Sequence, residues 1–183
     1  MVDTQLLVPL AEIAGVFVGF GALIAVRSGG PTEPLEVAPM RMMVSLGMLA
    51  VAGGLVPSTL GHFGLTEHEV WALSSAMVLA GWLAVLVASL RTPEYRGGWA
   101  AEIEATRTGS RPGWLAVAEY AVFVPYLLAV ALTPIVILVG LAPDLEAALY
   151  YAEVVLILLG AGWALLGLVF AQRRPAGPPP PTG

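Results

Sequence analysis

Three acidic residues interrupt the apolar runs of this 183-residue chain: Glu12, Glu119 and Glu153. A carboxylate at the middle of a bilayer costs about 3 kcal/mol on insertion scales, so such residues normally face protein or water. Two carboxylates that come close in a low-dielectric site repel each other, and the pair can then share one proton that a cation displaces. The sequence therefore predicts a proton or cation site built from intramembrane carboxylates.

Glu12 and Glu153 lie in similar segments, AEIAGVFVGFG and AEVVLILLGAG, which share the pattern Ala-Glu-[Ile/Val]-x5-Gly-x-Gly. By the helical rise, Glu12 is about 9 Å in from Leu6 and Glu153 about 12 Å in from Leu145. Such a match is typical of transporters in which parallel repeats form two halves of one site. The alternative is a chance match, because Ala, Gly, Leu and Val make up most of both segments.

Small residues share the helical face of each of these two carboxylates. They are Gly15 and Gly19 with Glu12, and Gly160, Ala164 and Gly167 with Glu153. Small residues at this spacing allow two helix backbones to approach closely. We therefore expect both carboxylates to point into helix contacts.

Glu119 shares a helical face with Tyr126 and Thr133, which follow it at intervals of one heptad. These three residues predict a thin polar seam that continues the route of the proton or cation towards the inner side. Ser74 and Ser75 have no base close to them in sequence, and we expect them to pack between helices.

A short turn holds both histidines, His62 and His68, together with Glu67 and Glu69. Imidazole and carboxylate groups can bind zinc or copper, but the two histidines lie six residues apart with no recognised ligand spacing. A solvated loop is the more common explanation. No serine–base pair, zinc motif or arginine cluster lies within a span, so an enzyme is disfavoured and no cofactor is expected.

The composition indicates the elements that position these residues. The chain is 58% hydrophobic and 11% charged, with a mean hydropathy of +0.85, whereas soluble domains are about a quarter charged. Runs of about 20 apolar residues predict an all-α bundle of five transmembrane helices. The spans are Leu6–Val26, Met42–Phe63, Val70–Leu90, Trp114–Leu141 and Leu145–Ala171. We expect one domain over residues 1–172 and a flexible, proline- and glycine-rich cytoplasmic tail over residues 173–183.

The arginines predict the orientation of the bundle. All eight basic residues are arginines, and all fall on one side of a five-span arrangement. The positive-inside rule assigns that side to the cytoplasm, so the N-terminus lies outside and the C-terminus inside. The use of arginine without lysine is typical of GC-rich genomes and favours a bacterial source. The membrane would then be the inner membrane of a bacterium. The net charge of −5 argues against nucleic-acid binding, and the absence of cysteine excludes disulfides.

Local signals predict how several of the helices begin or bend. Thr66 followed by Glu69 is a capping box that opens the third span, and Asp144 is the expected N-cap of the fifth. Gly53-Gly54 and Pro57 predict a kink in the second span, with a broken helix that lines a site as the alternative. The segment from Trp99 to Arg107 is typical of a short amphipathic helix on the membrane surface.

Two functions from different classes remain open. The first is a small proton- or cation-linked transporter or channel that uses the intramembrane carboxylates. The second is a non-catalytic membrane module, such as an assembly factor, accessory subunit or sensor, that acts through helix–helix contacts. Either would contact membrane lipids, and either could form a homo-oligomer or bind another membrane protein.

Overall fold

The computed structural model describes residues 5–27, 34–93, 107–108 and 113–171, and this part of the chain is helical with no strand. Within these ranges, five helices are long and apolar enough to cross a membrane, which confirms the predicted fold class of a five-helix membrane protein. Their bounds are α1 Leu7–Arg27, α2 Pro34–Leu60, α3 Glu67–Arg91, α4 Gly113–Val139 and α5 Glu146–Ala171. Short 3-10 turns at Gly61–Phe63 and Pro143–Leu145 precede α3 and α5.

The helices begin and end close to the predicted spans, with one difference. α2 starts at Pro34, well before the predicted Met42, because helical geometry continues beyond the apolar run. Pro57 lies inside α2, and the helix continues through it to Leu60, so the break of the helix predicted as the alternative does not occur there.

Local hydrogen bonds explain the two tight connections at one end of the bundle. The predicted capping box is confirmed: the backbone N–H of Glu69 donates to Thr66 Oγ1, and Glu69 Oε2 accepts from the Thr66 N–H. At the other connection, Gly140 ends α4 with φ at 67°, and the next N–H, that of Leu141, donates to the Val136 carbonyl. This is a Schellman ending, which favours glycine at the left-handed position.

The prediction that Asp144 caps α5 is wrong. Ala142 precedes the 3-10 turn and provides no side-chain cap, Pro143 takes its first position, and Asp144 lies inside the turn. The sequence signal failed because Pro143 starts a separate turn before α5 begins at Glu146.

α2 lies at the centre of the bundle and packs against α1, α3 and α5, while α4 packs against α3 and α5. α1 and α2 approach most closely at Gly54, where a Cβ atom would lie 2.7 Å from Ala11 Cβ and 2.9 Å from the Leu7 carbonyl oxygen. Only glycine permits this approach. Contacts between α3 and α5 join His68 to Glu146 and Ser75 to Glu153, so these two helices run in the same direction.

Candidate functional site: a buried carboxyl cluster

Glu153 lies at the contact of α3 and α5, and its side chain is 0% exposed. The Ser75 hydroxyl donates a hydrogen bond to Glu153 Oε2 at 3.0 Å. The second carboxyl oxygen, Oε1, is buried and has no hydrogen-bond partner among the described residues. No cationic side chain in the described part of the chain pairs with this carboxyl group. Glu153 is therefore a buried acid with one oxygen free to bind a proton or another ligand.

One turn before Glu153 on the same face of α5, Tyr150 links α5 to the backbone of α2 at Gly53. Its hydroxyl donates to the Gly53 carbonyl oxygen at 2.7 Å. In a regular helix this carbonyl would accept from the N–H of residue 57, but Pro57 has no N–H. Tyr150 thus satisfies a backbone oxygen that proline has freed, and the membrane provides no water to do so.

Ser74 completes the group. Its side chain is 0% exposed and lies next to the Tyr150 hydroxyl, yet its Oγ has no hydrogen-bond partner in the described residues. We call Glu153, Ser75, Ser74, Tyr150 and the Gly53 carbonyl the carboxyl cluster. It brings oxygen atoms from three helices together inside an apolar bundle, and two of these oxygens are unpartnered. Buried unpartnered groups of this kind are uncommon in proteins and call for a physical explanation.

Three contacts recur along α5 at intervals of one heptad, and each involves a polar side chain from another helix. Glu146 binds His68, Glu153 binds Ser75, and Gly160 lies against the hydroxyl of Tyr126 from α4. A Cβ atom at Gly160 would overlap this hydroxyl, so the glycine makes room for it. Seven residues of helix rise about 10 Å, so the three contacts follow one another along the bundle. We call this row the α5 seam.

The first contact of the α5 seam lies in a pocket of about 250 Å³ between the starts of α3 and α5. His68 Nδ1 donates to Glu146 Oε1 at 2.6 Å, with the imidazole half exposed and the carboxylate 5% exposed. Glu67, Asp144 and Trp71 also line the pocket. The pocket is therefore an acidic cleft at one end of the α5 seam.

The structure places Glu12 elsewhere than expected. Its side chain is exposed on α1, so it does not lie against a neighbouring helix and does not join Glu153 in the cluster. Gly15 and Gly19 are exposed too, and a Cβ atom at either would meet nothing within 4 Å. The expected close approach at these glycines therefore does not form within this chain. The physical reason is that α1 buries a different face.

The buried face of α1 consists of small and apolar residues at heptad-like spacing: Leu7, Ala11, Ala14 and Gly21. Gly21 takes the close approach to α2, since a Cβ atom there would lie 2.7 Å from Met43 Cε. α1 thus has two faces with small residues, and the sequence pattern does not indicate which of them is buried.

The other predicted residues are placed as follows. Gly160 and Ala164 are buried in α5, and the Tyr126 hydroxyl is buried without a partner among the described residues. Thr133 Oγ1 donates to the Ala129 carbonyl of its own helix, so this hydroxyl is used locally. Glu119 and Gly167 belong to α4 and α5, but their side-chain positions lie outside the described residues, as do residues 173–183 and most of the segment from Trp99 to Arg107.

Three of the four residues weighed as metal ligands serve separate contacts, and the fourth, Glu67, lines the acidic pocket. His62 Nδ1 donates to the Ser58 carbonyl, His68 binds Glu146, and Glu69 closes the capping box. In the described ranges, no three His, Asp or Glu side chains gather in a way that could hold a metal ion. The turn therefore gives no support to the predicted metal site.

The sequence around Glu153 does not indicate the partners of this residue. The sequence predicts only packing for Ser74 and Ser75, and it gives no sign of a role for Tyr150 or, elsewhere on α5, of the His68–Glu146 pair. A signal did exist: Ser75 is eight residues into α3 and Glu153 is seven residues into α5. Polar residues at equal depth on helices that run in the same direction are candidates for contact.

A comparison of this chain with protein-family models, with curated proteins and with solved structures finds no match in any of the three.

Proposed function

We propose that this chain is a proton- or cation-linked transporter or channel of a bacterial plasma membrane, and that Glu153 takes up and releases the transported charge. The observation that carries the proposal is the wholly buried Glu153 carboxyl group, one oxygen of which has no hydrogen-bond partner in the described part of the chain. An ionisable side chain inside a membrane bundle is costly and is typically retained for a function such as a proton relay.

The α5 seam supports this proposal because polar groups lie on both sides of Glu153. The acidic pocket lies about 10 Å before it along α5, and the Tyr126 hydroxyl contacts α5 about 10 Å beyond it. In the orientation that the arginines predict, the pocket opens to the outside and Tyr126 lies towards the cytoplasm. Transport then proceeds from the pocket, through the carboxyl cluster, to Tyr126.

The test compares Glu153→Gln with Glu12→Gln in proteoliposomes. Glutamine keeps an acceptor for the Ser75 hydroxyl but cannot gain or lose a proton at neutral pH. A pH-sensitive dye inside the vesicles reports proton flux after a pH jump, with Na⁺ or K⁺ gradients imposed in separate experiments. We expect Glu153→Gln to reduce flux to the level of protein-free vesicles and Glu12→Gln to retain wild-type flux.

Glu12→Gln is a matched control because it makes the same chemical change in the corresponding position of a similar segment. Circular dichroism and gel filtration in detergent check that both variants fold. Wild-type flux in a folded Glu153→Gln variant would contradict the proposal.

A second candidate function is a non-catalytic membrane module, and one observation favours it. The exposed face of α1 carries Glu12, Gly15 and Gly19, and neither glycine has a neighbour within 4 Å of where a Cβ would lie. Small residues on an exposed transmembrane face suit association with another helix. Here a stoichiometric membrane partner would co-purify with the wild-type chain and be lost in Gly19→Leu, while Glu153→Gln would leave the complex intact.

A further inference from the structure

The floor of the acidic pocket lies close to the carboxyl cluster. Trp71 lines the pocket, yet its side chain is 1% exposed. Its ring centroid is 5.4 Å from that of Tyr150, which is 0% exposed and belongs to the cluster. This pair of aromatic rings therefore connects the lining of the pocket to the carboxyl cluster.

The charges around the pocket favour a cationic species. Three carboxylates line it, Glu67 from α3, Asp144 from the 3-10 turn and Glu146 from α5, together with the His68 imidazole. A cleft lined by one sign of charge raises the local concentration of counter-ions, hydronium included. The His68–Glu146 hydrogen bond leads inwards, because the next hydrogen bond that the described residues form between the same two helices is Ser75–Glu153.

We propose that this pocket is the port through which protons reach Glu153, and that Trp71 and Tyr150 form the barrier between the pocket and the Glu153 carboxyl group. The inference rests on the proposed function and specifies the access side and the transported species. A proton from pocket water binds the Glu153 carboxylate and gives the neutral acid, and release through the other side restores the carboxylate. Because the two rings are buried against each other, exchange requires them to part.

The chain contains no cysteine, so a single introduced cysteine can be modified without a background reaction. Ala147 lines the pocket, whereas Gly61 is exposed nearby in the turn before α3, where a Cβ would meet nothing within 4 Å. Ala147→Cys and Gly61→Cys are reconstituted as full chains and treated with a bulky, membrane-impermeant thiol reagent. We expect modification to block proton flux several-fold or more in Ala147→Cys and to leave Gly61→Cys unchanged.

Glu146→Gln provides a second measurement that needs no chemical modification. We expect slower proton flux by several-fold, because the port loses its buried carboxylate, and no dependence of the remaining flux on Na⁺ or K⁺. Glu67→Gln, which removes an exposed carboxylate of the same pocket, should lower flux less.

The outcomes separate the two proposals. Loss of flux in Glu153→Gln, together with unblocked flux in modified Ala147→Cys, would overturn the port and leave the proposed function in place. Equal block in Gly61→Cys would also overturn it, since the effect would then not be specific to the pocket. A strict requirement for Na⁺ or K⁺ would overturn the proton as the transported species, and wild-type flux in Glu153→Gln would overturn the proposed function itself.

Discussion

The segments around Glu12 and Glu153 share a sequence pattern and have opposite surroundings. In α1, Ala11 and Ala14 are buried while Glu12 is exposed; in α5, the residues that correspond to the two alanines are exposed while Glu153 is buried. The reversal continues at the glycines, since Gly19 is exposed and its counterpart Gly160 is buried. The face of α5 that points into the bundle is therefore opposite to the corresponding face of α1, a difference of about half a turn about the helix axis.

This difference shows what a transmembrane sequence pattern specifies. Hydrophobicity and length determine that both segments cross the membrane, and position along the helix determines the depth of each carboxylate. The face that becomes buried depends on which neighbours the helix meets. α1 packs mainly on α2, whereas α5 packs on α2, α4 and α3. Other helices therefore surround Glu153 but not Glu12.

The corresponding glycines give the largest expected difference in stability. Gly160→Leu forces a side chain into the Tyr126 hydroxyl, and overpacking of this kind costs about 1–3 kcal/mol. Gly19→Leu meets open space and should change the free energy of unfolding by less than about 0.5 kcal/mol. Unfolding in mixed detergent micelles, followed by circular dichroism, measures both. If Gly19→Leu were the more destabilising variant, the assignment of exposed and buried faces would be reversed.

Tyr150 and Tyr126 both place a hydroxyl in the helix contacts of α5, and removal of the two hydroxyls should have different effects on stability. Tyr150→Phe leaves the Gly53 carbonyl without a donor, at an expected cost of about 1–2 kcal/mol for an unsatisfied buried group. Tyr126→Phe removes a buried hydroxyl that has no partner among the described residues, so stability should be unchanged or slightly higher. The same unfolding measurement compares them, and equal losses in both variants would contradict the special role of Tyr150.

The adjacent serines give the smallest expected effect. Ser75→Ala removes a hydrogen bond between helices, a contact worth about 0.6 kcal/mol on average in a membrane protein. Ser74→Ala removes a hydroxyl without a partner in the described structure and should cost less. A double-mutant cycle of Ser75→Ala with Glu153→Ala isolates the contact. A coupling energy of zero would show that the hydroxyl does not stabilise the buried acid.

The sequence predicts the elements of this fold better than the contacts between them. Five spans follow from apolar runs, and the Thr66 capping box follows from residues three apart, so both depend on local signals. The partners of Glu153 lie on other helices, and a carboxylate in an apolar run does not indicate which neighbour will meet it. Ser74 and Ser75 lie on α3 at about the same depth as Glu153 on α5, which makes them the candidate partners of this carboxyl group.

The prediction that Glu12 points into a contact between helices is not met, and the physical cause is different. Small residues occur on two faces of α1, and both faces satisfy the rule for close helix packing. The choice between them depends on the shape of α2, in which Gly47 and Gly54 admit the buried face of α1. Such complementarity belongs to a pair of helices, so it is not present in the pattern of either one.

The hydrogen bond from Tyr150 to the Gly53 carbonyl has a consequence for the synthesis of this protein. Donor and acceptor are 97 residues apart in the chain. At about 5–20 residues per second, a ribosome takes roughly 5–20 s to make the interval between them. During that time α2 has entered the membrane with a backbone oxygen that its own helix does not satisfy. α5, which is made after α2, therefore provides the hydrogen-bond donor that α2 lacks, and a chain truncated before Tyr150 would leave the Gly53 carbonyl without it.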